Sequence, residues 1–173
     1  MGAAYDASWS LDSNEHGNAK AFCCVNARAI DYARFGQLIL REGKVGDRQI
    51  VPANWIRDSI TVREHPGRDI GSRWNIESPG KRKAAFYTWH WRRLPVRDDS
   101  ADLGVRPSPD FYAEGLLGQY IYFAPEEDMV FVRFGKRNGK TRWPAVFHQI
   151  AKLNDNEEVV ITNRTPVVPT TMQ

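Results

Sequence analysis

The chain has 173 residues, of which 42% are hydrophobic and 26% are charged, proportions typical of one soluble globular domain. Its net charge of +3 is the difference between 24 basic and 21 acidic residues, so the electrostatic field of the whole molecule is weak. No apolar run is long enough to cross a membrane, and the first residues lack the basic and apolar regions of a signal peptide, which leaves the localisation open.

The first twenty residues are polar and turn-rich, with Tyr5 and Trp9 as the expected anchors. The only cysteines, Cys23 and Cys24, are adjacent. Neighbouring residues do not easily reach disulfide geometry, and two thiols alone do not make a zinc site. We therefore expect two small, buried, unpaired side chains and no metal.

A helix is predicted from about residue 27 to residue 41, with Asn26 as its N-cap and Gly43 closing it. Its apolar residues form a wide surface that is expected to face the core: Ile30, Ala33, Phe35, Leu38, Ile39 and Leu40.

Shorter elements are predicted next. A turn at Gly46 and Asp47 precedes a short strand at 50–51, and Pro52 then opens a second helix of about ten residues. The segment 61–83 is rich in Arg, Gly and Pro without apolar periodicity, which indicates a long irregular excursion.

An alternating stretch from Phe86 to Leu94 predicts one strand, with Tyr87, Trp89 and Trp91 on the same side. A polar loop is expected over 95–109.

The most strongly patterned stretch runs from 110 to 135. Two aromatic and branched runs are separated by Pro-Glu-Glu-Asp, which predicts a hairpin of two well-buried strands. Gly115 and Gly118 precede the hairpin, at positions where the backbone can approach another group closely.

A final helix is predicted from Pro144, with Val146, Phe147, Ile150 and Leu153 on one side. We expect it to lie across the sheet. Residues 154–173 are predicted to form a polar, poorly ordered tail after one domain over 1–153.

Three segments of the sequence resemble the C-terminal part of serine β-lactamase-like hydrolases, the family of class C β-lactamases, D-Ala-D-Ala peptidases, esterases and aminohexanoate-oligomer hydrolases. They are the helix NARAIDYARFGQLIL at 26–40, the segment QIVPANWI at 49–56, and the stretch AEGLLGQ at 113–119 with its Pro-Glu hairpin. The resemblance implies a β-lactamase/transpeptidase-like α+β fold, with antiparallel strands flanked by helices. The start at 1–9 resembles a segment in mid-domain, so we expect the N-terminal half of that fold to be absent from this chain.

The resemblance also implies a chemistry. Enzymes of this family attack an acyl carbonyl with a serine that a lysine activates one helical turn later, aided by a tyrosine from another loop. The one Ser-x-x-Lys match is Ser78 to Lys81, and its Pro-Gly interior predicts a turn instead of a helix start. We expect the attacking group to be missing from this chain, and the absent N-terminal segment is the partner that would supply it.

The family's third motif, a strand that reads Lys-Thr-Gly or His-x-Gly, matches Ala113-Glu114-Gly115. Its basic position is Ala113, which disfavours a penicillin-type carboxylate and favours an ester or amide substrate. By the family pattern, Gly115 lets the strand approach substrate and the backbone N–H of Leu116 belongs to an oxyanion hole. The expected substrate-binding residues are Ala113, Glu114, Gly118, Trp89 and His90, with no cofactor.

Two other functions stay open. The chain can be a non-catalytic binding module, either paired with a separate N-terminal chain or as an inactive relative. The region 63–106 combines ten basic with six acidic residues and three tryptophans, a composition that single-stranded nucleic acid can use. Its charges are scattered and no RNA-binding motif accompanies them, so a solvated basic face is the favoured interpretation.

Overall fold

The structure, a computed structural model, describes residues 2–21, 23–62, 86–101, 104–137 and 139–153. These residues form one five-stranded antiparallel sheet, three two-stranded pairings and three helices, which confirms the expected α+β class. Most of the excursion predicted over 61–83, the Ser78 tetrapeptide and the tail predicted over 154–173 lie outside the described residues. The division into a domain and a tail stays a prediction.

The first elements are a strand pair and a helix. Strand β1 (Ser8–Trp9) pairs antiparallel with β2 (Val25–Asn26), and α1 covers Ala29–Leu40. Asn26 is not the N-cap of this helix, because its backbone belongs to β2 and Arg28 takes the cap position without a side-chain hydrogen bond. The predicted helix start is therefore two residues too early, because an Asn before an apolar helix usually indicates the cap.

The end of α1 follows the prediction. The N–H of Gly43 donates to the carbonyl of Leu38 at 2.7 Å, and the N–H of Glu42 donates to that of Ile39 at 3.0 Å, the pair of bonds of a Schellman motif. Gly43 has a φ of 84°, and a Cβ at this position would collide with the carbonyl of Val51. Glycine is therefore required where the helix stops.

A small hairpin and a second helix follow. Strands β3 (Lys44–Val45) and β4 (Arg48–Gln49) pair around the predicted turn, and the strand predicted at 50–51 thus lies two residues earlier. Helix α2 covers Ala53–Ile60 and begins directly after Pro52, as predicted. It buries Ile56 and leaves Trp55 exposed.

The single strand predicted over 86–94 is a hairpin. Strands β5 (Phe86–Thr88) and β6 (Trp91–Arg93) pair around a two-residue turn in which Trp89 and His90 have positive φ, 41° and 74°. Left-handed residues at both central positions define the type I′ turn. The sequence lacks the Asn or Gly that normally signals this turn, so alternation alone indicated one continuous strand.

The turn also changes which aromatic side chains share a face. Thr88 pairs with Trp91, and Tyr87 pairs with Arg92. Cross-strand partners lie on the same face of the sheet, and sequence neighbours lie on opposite faces. The side chains of Trp91 and Tyr87 therefore lie on different faces of the sheet. The expectation that Tyr87, Trp89 and Trp91 form one aromatic face is therefore wrong.

Part of the polar loop expected over 95–109 is another hairpin. Strand β7 (Pro95–Arg97) pairs with β8 (Val105–Pro107). The side chain of Arg93 supports this connection, since its guanidinium donates to the carbonyls of Ser108 at 2.8 Å and Ile60 at 2.8 Å.

The sheet is completed by β9 (Phe111–Gly115), β10 (Gln119–Ala124) and β11 (Met129–Arg133), and its strand order is β11-β10-β9-β6-β5. The predicted hairpin around Pro-Glu-Glu-Asp is confirmed as β10 and β11. The stretch 113–119 is not one strand, however. It turns at 116–118 and returns, with Gln119 paired to Gly115.

One face of the sheet packs against α1 and α2. The rings of Phe111 and Phe123 stack with centroids 4.4 Å apart, and Trp91 contacts both rings edge-on. Helix α1 lies close to β11 at Gly36, where an added Cβ would collide with the side chain of Val130. The absence of a side chain at this residue lets the helix and the strand approach each other.

The other face packs against α3 (Trp143–Leu153), which lies on the sheet as predicted. The buried side of the helix consists of Pro144, Phe147 and Ala151. Ile150 and Leu153 were expected on that side but are 45% and 56% exposed, because the helix contacts the sheet along a narrower line than its apolar residues suggest.

Candidate functional site

A cleft of about 780 Å³ opens at the free edge of β9. Strand β6 pairs with β9 through Arg92 and Tyr112, so beyond this pair the outer edge of β9 has no strand partner among the described residues. The cleft is lined by Ala21, Val25, Asn26, Ala27, Tyr32, Tyr87, His90, Arg92, Ala113, Glu114, Gly115, Gln119, Tyr120, Ile121 and Phe134. Main-chain groups of an open sheet edge are thus accessible from a pocket of ligand size.

Three polar side chains form a connected group on one wall of the cleft. The hydroxyl of Tyr120 donates to Oε1 of Glu114 at 3.1 Å, and Oε2 of the same carboxylate lies 3.6 Å from Nε of Arg92. Burial, together with the Glu114 carboxylate, raises the pKa of Tyr120 to about 12. Tyr120 therefore keeps its proton near neutral pH and serves as a hydrogen-bond donor, not as a base.

A second polar contact lies at the β5–β6 turn. The hydroxyl of Tyr87 and Nδ1 of His90 are 2.9 Å apart, and the Arg92 guanidinium lies 5.3 Å from the centroid of the Tyr87 ring. The cation–π contact and the hydrogen bond hold the Tyr87 ring between the Arg92 guanidinium and the His90 imidazole. His90 is thereby held at the rim of the cleft.

The turn from β9 to β10 is the feature closest to the expected oxyanion-binding strand. The N–H of Gly118 donates to the carbonyl of Gly115 at 3.2 Å, and Leu117 has a φ of 63°. These features match a four-residue turn with Leu116 at its second position. The N–H of Leu116 has no hydrogen-bond acceptor among the described residues, and its side chain is 82% exposed.

This turn is held in place by the end of β11. The side-chain amide of Gln119 donates to the carbonyl of Gly135 at 2.6 Å, and Oε1 of Gln119 accepts from the N–H of Gly135 at 3.0 Å. The guanidinium of Arg133 donates to the carbonyl of Gly118. A turn fixed by three such bonds is preorganised, although most of its own surface is exposed.

The predicted site residues are divided by the structure. Ala113, Glu114, Gly115 and His90 line the cleft together. Leu116 and Gly118 lie in the adjoining turn, and Trp89 lines a neighbouring apolar pocket instead. Their roles toward a substrate stay predictions.

The two cysteines lie in the chain between Ala21 and Val25, two residues that line the cleft. Cys23 and Cys24 are joined by a disulfide, with Cα atoms 3.7 Å apart, and Cys24 is exposed. The expectation of two unpaired, buried thiols is therefore wrong: the two adjacent sulfur atoms close a small ring on the surface, which the usual spacing of disulfide partners does not anticipate. The Trp9 indole N–H supports this loop by donating to the carbonyls of Lys20 at 2.9 Å and Cys23 at 3.1 Å.

A buried polar group under the sheet was not found from the sequence. Oδ2 of Asp110 accepts from the Tyr122 hydroxyl at 2.5 Å and lies 2.7 Å from Nδ1 of His148. Asp110 is 1% exposed, and burial followed by the hydrogen bond to Asp110 raises the pKa of Tyr122 well above its usual value. The available signal was weak, namely a carboxylate directly before an aromatic strand, because 38 residues separate Asp110 from His148.

Neither a metal site nor a membrane helix is found in the part of the chain that the structure describes. There, no three His, Cys, Asp or Glu side chains are grouped to hold a metal ion. The described helices are also too short or too polar to cross a bilayer.

No protein-family model and no curated protein matches the chain. A solved structure, "Putative 6-aminohexanoate-dimer hydrolase from Bacillus anthracis", is similar at 25% sequence identity with a TM-score of 0.48, over 76% of this chain and 29% of that one. The chain therefore spans less than a third of that protein. At this TM-score the match assigns neither a family nor an activity to the chain.

Proposed function

We propose that the described residues of the cleft form one side of an acyl-transfer site. At this site an ester or amide is hydrolysed, as in serine β-lactamase-like hydrolases. The observation that carries the proposal is the Leu116 N–H, which has no acceptor among the described residues and belongs to a turn fixed by Gln119 and Arg133. Beside it, Gly115 lines a cleft of about 780 Å³. A fixed amide without an acceptor, next to a cavity, suits the developing negative charge of a tetrahedral intermediate.

In this proposal the Leu116 amide stabilises the oxyanion and does not attack the carbonyl. One such donor contributes about 3 kcal/mol to transition-state stabilisation in acyl-transfer enzymes. None of the described residues that line the cleft is a serine, threonine, cysteine or lysine. The attacking group and its activating base are therefore supplied from outside this set of residues.

The charges of the cleft favour an uncharged substrate group. Ala113 stands where related motifs have a basic residue, but the structure brings Arg92 into the same cleft from the neighbouring strand. The Glu114 carboxylate lies 3.6 Å from Arg92 and offsets its charge. An ester or amide without a second carboxylate therefore fits this wall better than an anionic one.

Titration with methylphosphonate, a tetrahedral anion, tests the proposed donor. We expect the backbone N–H resonance of Gly115 to shift saturably in the isotope-labelled chain, whereas the resonance of Gly46 in the distant β3–β4 turn stays unchanged. Leu116→Pro removes the N–H at a turn position that accommodates proline, and Leu116→Ala retains it. We expect the proline variant to bind about tenfold more weakly, and the alanine variant to match the parent. Equal binding by both variants would overturn the role of the amide.

A chromogenic ester tests the second part of the proposal. The purified chain should not hydrolyse the ester above background, because the part of the cleft that the structure describes contains no serine, threonine, cysteine or lysine. Turnover that a serine-directed reagent abolishes would show that this chain carries its own nucleophile.

A second candidate is a non-catalytic binding module, since no serine, threonine or cysteine is found among the cleft residues that the structure describes. The mass of the assembled species in solution shows whether a complex forms, and the ester assay on that complex separates the two candidates. A stable complex with a second polypeptide that restores ester hydrolysis supports the acyl-transfer site, and a complex that never hydrolyses esters supports the binding module.

A further inference from the structure

A second pocket, of about 500 Å³, lies on the other side of the β5–β6 turn, between this turn and helices α1 and α2. Its floor is formed by the buried side chains of Ile39 and Ile56. Its rim is formed by Trp55 and Trp89, which are 57% and 51% exposed and whose rings meet edge-on at 5.2 Å. A buried floor with a half-exposed aromatic rim distinguishes this pocket from a flat apolar patch, and its volume is in the range of small-molecule sites.

Two polar side chains of this pocket, Trp91 and Ser59, are already paired. The indole N–H of Trp91 donates to Oγ of Ser59 at 3.2 Å, and this hydroxyl donates in turn to the carbonyl of Ile56 at 2.8 Å. The remaining lining is aliphatic or aromatic, apart from the imidazole of His90 and the indole N–H groups of Trp55 and Trp89. A group that reaches the buried floor at Ile39 and Ile56 therefore gains most from apolar and aromatic contact.

The β5–β6 turn places two bulky side chains where the backbone disfavours them. Trp89 and His90 both adopt the left-handed conformation, which asparagine and glycine occupy at lower cost. Trp89 uses this position to form the rim of the apolar pocket, and His90 lines both the pocket and the cleft. Strained residues of this kind are concentrated at functional sites.

The geometry points to an apolar substrate subsite: we propose that this pocket binds an aryl or medium-length alkyl group of the ester or amide, while the cleft holds the reacting carbonyl. The shared residue His90 makes the two spaces neighbours. The ligand class follows from the three indoles and from the paired state of Ser59 and Trp91. The assignment of this group to a substrate rests on the proposed function.

Benzyl alcohol tests the subsite, because it has an aryl group and no carbonyl. We expect a saturable shift of the indole N–H resonances of Trp55, Trp89 and Trp91, and no shift with glycerol at the same concentration. Trp55→Ala removes one rim side from an exposed helix position and should weaken binding about tenfold or more. Leu153→Ala is the matched control, since Leu153 is 56% exposed on a helix away from the pocket.

A turn variant keeps the proposal falsifiable if Trp55→Ala perturbs α2. Trp89→Asn puts a residue suited to the left-handed conformation into the turn, so the thermal unfolding midpoint should not fall although benzyl alcohol binding weakens. Benzyl alcohol binding that is non-saturable, or that is unchanged in both tryptophan variants, would overturn the subsite.

The two proposals fail separately. If benzyl alcohol binds while methylphosphonate does not shift Gly115, the pocket stands and the acyl-transfer function falls. If methylphosphonate binds and benzyl alcohol does not, only the subsite falls.

Discussion

The interior of the sheet and its cleft edge are built differently from the same few strands. In the interior, aromatic rings such as Phe111 and Phe123 stack at 4.4 Å, and Tyr122 and His148 both contact the buried Asp110. At the edge, Trp89, His90 and Leu117 have left-handed backbones, and Leu116 exposes 82% of its surface.

The difference separates stability from candidate function. Interior residues occupy regular conformations and make the contacts that local preference and burial favour. Edge residues such as His90 and Leu117 adopt backbone conformations that local preference disfavours, which is expected where a surface is shaped for a ligand. Substitutions in the interior should therefore change mainly stability, and substitutions at the edge should change mainly binding.

The largest loss of stability is expected from Asp110→Ala. It removes the acceptor of the fully buried Tyr122 hydroxyl and the partner of His148, and should lower the free energy of unfolding by about 3 kcal/mol. Chemical denaturation measures this change. The control Asp99→Ala removes an exposed carboxylate paired with Arg97 and should change stability by less than about 0.5 kcal/mol. Equal losses of unfolding free energy in the two variants would contradict a larger contribution of the buried Asp110 to stability.

Gly36→Ala should destabilise the chain by about 1–3 kcal/mol, because the new methyl group collides with Val130 where α1 meets β11. The double variant with Val130→Ala makes room for the methyl group, so its loss should be smaller than the sum of the two single losses. Additive losses in denaturation experiments would show that the helix and the strand are not in close contact here.

Stability should also fall at alkaline pH. Burial raises the pKa of Tyr112 above its ordinary value of 10.0. The unfolded chain therefore loses this proton first, so the contribution of Tyr112 is fully present below pH 10 and is lost as the pH rises toward the folded pKa. Tyr112→Phe should reduce the loss of unfolding free energy at pH 11 by about 1 kcal/mol.

Tyr112→Phe is informative because the Tyr112 hydroxyl has no hydrogen bond within the described residues, so stability at pH 7 should change little. Thermal unfolding at both pH values measures the effect. An identical alkaline decline in the parent and the variant would count against a buried, protonated Tyr112.

The smallest effect is expected at the cleft edge, on reduction of the Cys23–Cys24 disulfide. A link between adjacent residues closes almost no chain, so its loss should lower global stability by less than about 1 kcal/mol. Backbone resonances of Ala21, Val25 and Asn26, which line the cleft, should move, while those around Asp110 stay fixed. Thiol labelling with and without a dithiol reductant verifies the linkage first. Global unfolding on reduction would show that the edge supports the core.

Local patterns predicted the elements whose chemistry lies within a few residues. The Pro-Glu-Glu-Asp hairpin, the end of α1 at Gly43 and the start of α2 after Pro52 were all correct, since each depends on turn or cap residues next to the element. The hairpin at Trp89 and His90 was missed because its turn residues carry no turn signal. The group of Asp110, Tyr122 and His148 was missed because its members are distant in sequence.

The sequence by itself determined the approximate places of the three helices and the β10–β11 hairpin. It did not determine the turns that divide 86–94 and 113–119 into paired strands. Only the tertiary structure decided that the outer edge of β9 is open, that the Leu116 amide has no partner among the described residues, and that Trp89 faces an apolar pocket instead of the cleft. The physical reason is the sequence distance between the residues that interact. Secondary structure follows from contacts between near neighbours, whereas this cleft lies where the pairing between strands distant in sequence ends.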